Sequence, residues 1–148
     1  MDNLQIFFQL ILATLLGGAV GLEREYKRKE AGLRTYALVC LSSCLFAIIA
    51  FEVFQFFLGQ AGTPLDPLRV IQAVATGIGF IGAGLIIFRE KHIEGLTTAA
   101  GLWVVAAIGV AIGAKLYLAA IFATFLAIGI LAGLRLLEEK VFNKTYPH

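Results

Sequence analysis

Residues 4–58 read LQIFFQLILATLLGGAVGL, then EREYKRKEAGLR, then TYALVCLSSCLFAIIAFEVFQFFL, and this alternation decides the fold. The outer two stretches, residues 4–22 and 35–58, are each long enough to cross a hydrocarbon core, which takes about 20 apolar residues as a helix. The stretch between them carries eight charged side chains in twelve residues and belongs in water. Inside lipid the backbone must satisfy its own polar groups, so each apolar run is read as a helix.

Working outward, three more apolar runs follow at residues 68–88, 97–112 and 116–137. Residues 97–137 as one helix would reach about 60 Å at 1.5 Å per residue, twice the hydrocarbon thickness. Gly113-Ala114-Lys115 supplies a glycine and a charge where a turn is needed. The fold class is therefore an all-α polytopic membrane protein of five transmembrane helices. Its domains are a five-helix unit over residues 1–137 and a short cytoplasmic tail over residues 138–148. The chain start has neither a basic leader nor a small-residue cleavage site, so the first span is expected to remain in place.

Composition agrees. The chain is 59% hydrophobic and 15% charged, with mean hydropathy +0.88, whereas soluble domains carry roughly 25% charged residues. A net charge of +2 gives no reason to expect nucleic acid. The basic residues are sorted by side. Arg24, Lys27, Arg28, Lys29, Arg34, Arg89, Lys91, Arg135, Lys140 and Lys144 fall on one side of the five spans, and only Arg69 and Lys115 on the other. The positive-inside rule then predicts an N-out, C-in, multi-pass membrane protein with its C-terminus in the cytoplasm.

Small residues recur at helical spacing. Ala13, Gly17 and Gly21 share a face, as do Ala75, Gly79 and Ala83, and Gly109 and Gly113; such faces let helices approach closely in lipid and suit a homo-oligomer. Gly77, Gly79, Gly82 and Gly84 contain a G-x-G-x-x-G pattern, but that fingerprint binds dinucleotides only at a strand-to-helix turn. In the middle of a span it is read as a helix-packing face. Cys40 and Cys44, four apart in one run, are read as small buried residues rather than a disulfide or metal pair.

Polar residues within or beside the spans mark candidate sites. Glu52 lies about two turns inside the outer end of the second span, and it either marks a pathway or reaches the interface. Asp66-Pro67 opens the third span: Asp66 either caps the helix or attracts a cation at an outer mouth, with Arg69 three residues on as its pairing partner. Magnesium prefers oxygen ligands and keeps several waters, so a few carboxylates would suffice for a weak site, with Asp66 the candidate ligand; without a dense acidic cluster no dedicated metal cage or resident cofactor is expected. Thr97 and Thr98 are placed to cap the fourth span. Serines occur only at Ser42 and Ser43, and histidines only at His92 and His148, so no nucleophile–base pair is present and the chain is not expected to be an enzyme.

The ordered stretches Gly21-Leu22-Glu23-Arg24-Glu25, Ala31-Gly32-Leu33-Arg34-Thr35, Asp66-Pro67-Leu68-Arg69-Val70, Thr76 through Gly84, and Gly95-Leu96-Thr97-Thr98-Ala99-Ala100 with Trp103 resemble the MgtC/SapB family of bacterial inner-membrane proteins. The resemblance covers roughly residues 14–117. It implies a five-helix membrane domain tied to adaptation to magnesium limitation and, in some pathogens, to survival inside host cells. It further implies a regulatory role on membrane partners such as the ATP synthase, with magnesium or other ion transport as the alternative. Longer members carry a soluble domain after the fifth helix, which this chain is expected to lack.

The main functional surface is expected on the cytoplasmic side, where Glu23 and Arg24 end one span, Arg34 and Thr35 begin the next, and Thr97 and Thr98 begin the fourth. Arg34 is predicted to hold Glu23 through a two-pronged hydrogen bond. The topology has its own test. Cysteine-accessibility labelling should find position 28 protected from outside reagents and a position near Gly62 reachable, and the reverse pattern would overturn the orientation.

Overall fold

The structure, a computed structural model, describes residues 2–57, 66–89 and 92–134. Its elements are α1 (Asn3–Tyr26), α2 (Leu33–Phe57), α3 (Leu68–Leu85), β1 (Ile87–Arg89), β2 (His92–Glu94), α4 (Leu96–Gly113) and α5 (Tyr117–Ile128), which continues into a π-helical turn, Gly129–Leu134. The first four helices are each long and apolar enough to span a membrane; α5 with its continuation is a shorter apolar segment.

Element ends differ from the sequence reading in ways that local chemistry explains. α1 runs a turn past the apolar stretch to Tyr26 because Glu23 and Lys27, one helical turn apart, come within 3.2 Å. It ends where Arg28 turns left-handed at φ 51°. α2 starts at Leu33, two residues early, because Glu25 Oε2 accepts a hydrogen bond from the Leu33 N–H at 3.1 Å. Gly32 lies so close to that carboxylate that a Cβ would collide with it.

The third span stops at Leu85 and not at residue 88. Ile87–Arg89 instead pairs antiparallel with His92–Glu94, with Phe88 opposite Ile93. Gly95 closes this hairpin at φ +87°, its Cα against the Leu85 carbonyl where no side chain fits. The short segment is the fifth rather than the fourth: α4 has eighteen residues, while α5 gives way to the π turn at Gly129. Residues 135–137 of the expected fifth span and the tail 138–148 lie outside the described residues, as do Lys91, Lys140 and Lys144.

The core lies between α1, α2 and α4. α4 packs against all four other helices and buries ten of its eighteen residues. Three glycines set the spacing. A Cβ on Gly17 would lie 2.5 Å from Cys40 Cβ; one on Gly109 would strike the Cys40 carbonyl and stand 3.0 Å from Ser43 Cβ; one on Gly113 would lie 2.6 Å from Ala47 Cβ. Cys40 and Cys44 are fully buried free thiols in this seam. Gln9, also fully buried, donates through Nε2 to the carbonyls of Ile112 (2.6 Å) and Gly113 (3.3 Å) at the end of α4, where helix carbonyls lack intrahelical partners; Ile112 also accepts from the Lys115 N–H at 2.9 Å.

α3 sits outside this core, against α4. Of the four glycines read as a packing face, only Gly82 has a neighbour, Ala99 of α4, which a Cβ would reach at 3.4 Å; Gly77, Gly79 and Gly84 face open space in the described structure. Gly109→Val is therefore expected to destabilise the detergent-solubilised protein by about 1–3 kcal/mol through overpacking, seen as a lowered Tm. Gly79→Val should leave the Tm of the protomer unchanged, and equal losses at both positions would show that the seam is not what limits packing.

Candidate functional site

Three of the stretches singled out in the sequence, far apart in the chain, converge at one end of the bundle. Arg24 lies in the last turn of α1, 4% exposed, and its Nη2 donates to Thr98 Oγ1 at 2.6 Å. The Thr98 hydroxyl in turn donates to Glu30 Oε2 at 2.5 Å. The Tyr36 hydroxyl, from the first turn of α2, donates to the Thr98 backbone carbonyl at 3.2 Å. A buried guanidinium is thus joined to a carboxylate through one hydroxyl, which accepts from the first and donates to the second.

Low dielectric strengthens the buried bonds of Arg24 and Tyr36 to Thr98, while the Thr98–Glu30 bond is part-buried and its carboxylate reaches the surface. The Thr98 hydrogen bond holds the Glu30 carboxyl below its ordinary range; burial opposes this, while the backbone N–H of Glu30, Lys29 and Arg24 add to it. Gly101 makes room for Tyr36, since a Cβ there would collide with the phenolic oxygen. Beside the relay, Glu23 Oε1 lies 3.2 Å from Lys27 Nζ at ion-pair distance but without hydrogen-bond geometry, and both Glu23 carboxylate oxygens and Arg24 Nε are buried without a hydrogen-bond partner. Unfilled acceptors and a donor in this arrangement are where a water or a polar ligand group settles.

The expected cluster is partly reordered. Arg24 and Thr98 are at its centre, and Glu23 borders it. Arg34 is exposed and makes no pair with Glu23, whose partner is Lys27 one turn away on the same helix. Thr97 is exposed, Thr35 half-buried, and neither bonds into the relay. Neither threonine caps α4 through its side chain, because Gly95 occupies the cap position and Thr98 is committed to Arg24 and Glu30. Glu30, Tyr36 and Gly101 were missed. The signal for Arg24 was present: the face Ala13, Gly17, Gly21 extended by three residues lands on it.

The outer residues lie apart from this cluster. Asp66 is exposed, and its Oδ1 accepts from the Leu68 N–H at 2.9 Å, so it does act as a cap for α3; Arg69 is exposed and makes no ion pair with it. Glu52 lines a cavity at the far end of the bundle. Among the described residues no group of three or more potential ligands could hold a metal ion.

Thr98→Val removes the hydroxyl that joins Arg24 to Glu30 and should cost about 1.5–3 kcal/mol, the range for a hydrogen bond to a charged group, while Thr98→Ser and Arg34→Lys keep the Tm of the unaltered chain. Because the folded carboxyl of Glu30 is depressed, its contribution is present above its ordinary value of 4.5 and is lost as pH falls through the lower folded value. The stability difference between the unaltered protein and Glu30→Gln should therefore be full at neutral pH and close in acid, as thermal melts across pH would show.

The family described as the MgtC family matches this chain over residues 10–140. The chain is 42% identical over 142 residues to the Escherichia coli K12 protein named "Putative magnesium transporter YhiD", covering 96% of this chain and 66% of that protein. It is 37% identical to Protein SrpB of Synechococcus elongatus (93% of this chain, 79% of SrpB) and 40% identical to Protein MgtC of Brucella abortus (86% of this chain, 50% of MgtC). The chain thus spans from half to about four-fifths of the length of these relatives. No solved structure matches it. With a family match across almost the whole chain and relatives of this identity, the protein belongs to the MgtC family.

Proposed function

We propose that this chain serves the bacterial response to magnesium limitation as a regulatory inner-membrane protein, oriented N-out and C-in, which acts through helix contact with itself or with a membrane partner such as the ATP synthase. The observation that carries the reading is the closed seam between α1, α2 and α4. Gly17, Gly109 and Gly113 leave no room there for a methyl group, whereas magnesium dehydrates reluctantly and travels with waters attached. Among the described residues, this seam offers an adaptor's rigidity and no conduit along it.

The contact surface in this reading is α3. Its exposed face presents Gly77, Gly84 and Phe80 with Thr76 and Gln72 one turn earlier, and a glycine face of this kind accepts a second helix at close range. The transporter alternative draws on the name of YhiD; it requires a path between copies rather than through one. Neither reading assigns a catalytic residue or a bound cofactor.

Two measurements on the same preparations separate the readings. Reconstituted in liposomes with an entrapped magnesium indicator, the protein should admit no more magnesium than empty vesicles. In a strain dependent on it for growth in low magnesium, Gly77→Leu and Gly79→Leu should abolish growth at matched membrane levels and unchanged Tm. Protein-dependent flux would establish the transporter reading, and full growth of both variants would show that the α3 face meets only lipid.

A further inference from the structure

At the end of the bundle opposite Arg24, a cavity of about 530 Å³ opens between the start of α1, the end of α2 and the turn from α4 to α5. Its lining combines a carboxylate, Glu52, with an ammonium, Lys115, and two amides, Gln5 and Gln55. Opposite charges and neutral hydrogen-bonding groups around one opening match a ligand that is itself positive at one end and negative at the other. We propose that this cavity binds the headgroup of a zwitterionic ethanolamine phospholipid, its primary ammonium toward Glu52 and its phosphate toward Lys115.

Two observations deepen the case. Gln9 lies one turn beyond Gln5, and its amide nitrogen is 3.3 Å from the carbonyl of Gly113, a residue of the cavity wall. That fully buried side chain keeps Oε1 without a partner, an acceptor set just behind the wall. Lys115 occupies a left-handed conformation, φ 65°, at the α4–α5 turn. Glycine is the residue that fits such a position without strain, so a lysine there sits against local backbone preference.

A lipid, rather than a free zwitterion, is favoured by the rim. Leu4, Phe56 and Leu116, each next in sequence to a lining residue, are all more than half exposed and offer apolar surface to acyl chains. The charged and amide groups of the cavity and this apolar fringe meet at helix ends, where headgroups meet hydrocarbon. The primary ammonium matters chemically: it can donate N–H hydrogen bonds to a carboxylate, and the quaternary ammonium of a choline lipid cannot.

The test is native mass spectrometry of the full chain in detergent, offered equal amounts of ethanolamine, choline and glycerol phospholipids with identical acyl chains. The ethanolamine lipid should be retained about tenfold over the choline lipid, the order expected from one hydrogen bond to a charged group. Glu52→Gln should bring retention of the ethanolamine lipid to the level of the choline lipid; Lys115→Gly should lower retention of all three lipids, which share the phosphate, and, relieved of the strained turn, keep or raise the Tm. Free phosphoethanolamine at the same concentration should not displace the lipid; displacement would overturn a lipid as the occupant. Equal retention of ethanolamine and choline lipids by the unaltered protein overturns the proposal, as does a preference that survives Glu52→Gln or a retention that Lys115→Gly leaves unchanged. Should either variant fail to fold, the comparison of the two lipids on the unaltered protein decides alone.

Discussion

The structure depends on how closely α1 and α4 can approach α2. In a bilayer, burying apolar side chains against one another gains little over leaving them in lipid, so helix association rests on van der Waals contact and interhelical hydrogen bonds. Contact of that kind falls off within a fraction of an ångström, which makes the missing side chains of Gly17, Gly109 and Gly113 the permissive condition. α2 answers them with small groups of its own, Cys40, Ser43, Cys44 and Ala47, all buried. The seam is dense because both sides are small.

Dense packing of small residues does not by itself fix register, since one alanine or glycine resembles the next. The polar contacts supply what the seam lacks. Arg24 bonds to Thr98 near the start of α4, and Gln9 bonds to Ile112 and Gly113 at its end. Both contacts reach from α1 to α4 and stand fifteen residues apart on α1, about 22 Å along the helix. A slip of one residue would rotate each side chain by about 100° and break both at once. Unsatisfied polar groups in so apolar a setting are costly, so the two ends together select one arrangement.

Much of this was legible in the sequence, for physical reasons. Helix number and approximate position follow from how much apolar length a bilayer requires, and the glycines of α1 and α4 announced themselves by spacing. Arg34 misled because an arginine at a helix start looked like the residue that needed a partner, while a short polar loop allowed it to face solvent. Glu30 gave no signal at all: it lies in an irregular segment, and only the fold brings it to Thr98, 68 residues away. The glycines of α3 misled in another way. Spacing identifies a smooth face, but it does not say whether that face meets a helix of the same chain. The pairing of Ile87–Arg89 with His92–Glu94 was hidden because Ile87 and Phe88 extend an apolar run whose length alone favoured helix.

The same packing divides the molecule into parts of unequal firmness. α1, α2 and α4 are locked by the glycine seam and by polar contacts at both ends, whereas α3 leans on α4 with only two buried residues, Ile78 and Gly82. Gly82 meets Ala99, the residue that follows Thr98. The attachment of the outer helix and the Arg24–Thr98–Glu30 relay therefore share one turn of α4. A load on α3 that passes through Gly82 arrives beside Thr98, which holds a buried cation to a carboxylate through a single hydroxyl. A close-packed core does not deform smoothly under such a load but keeps or loses a discrete arrangement, and here the arrangement at stake is the one that neutralises Arg24.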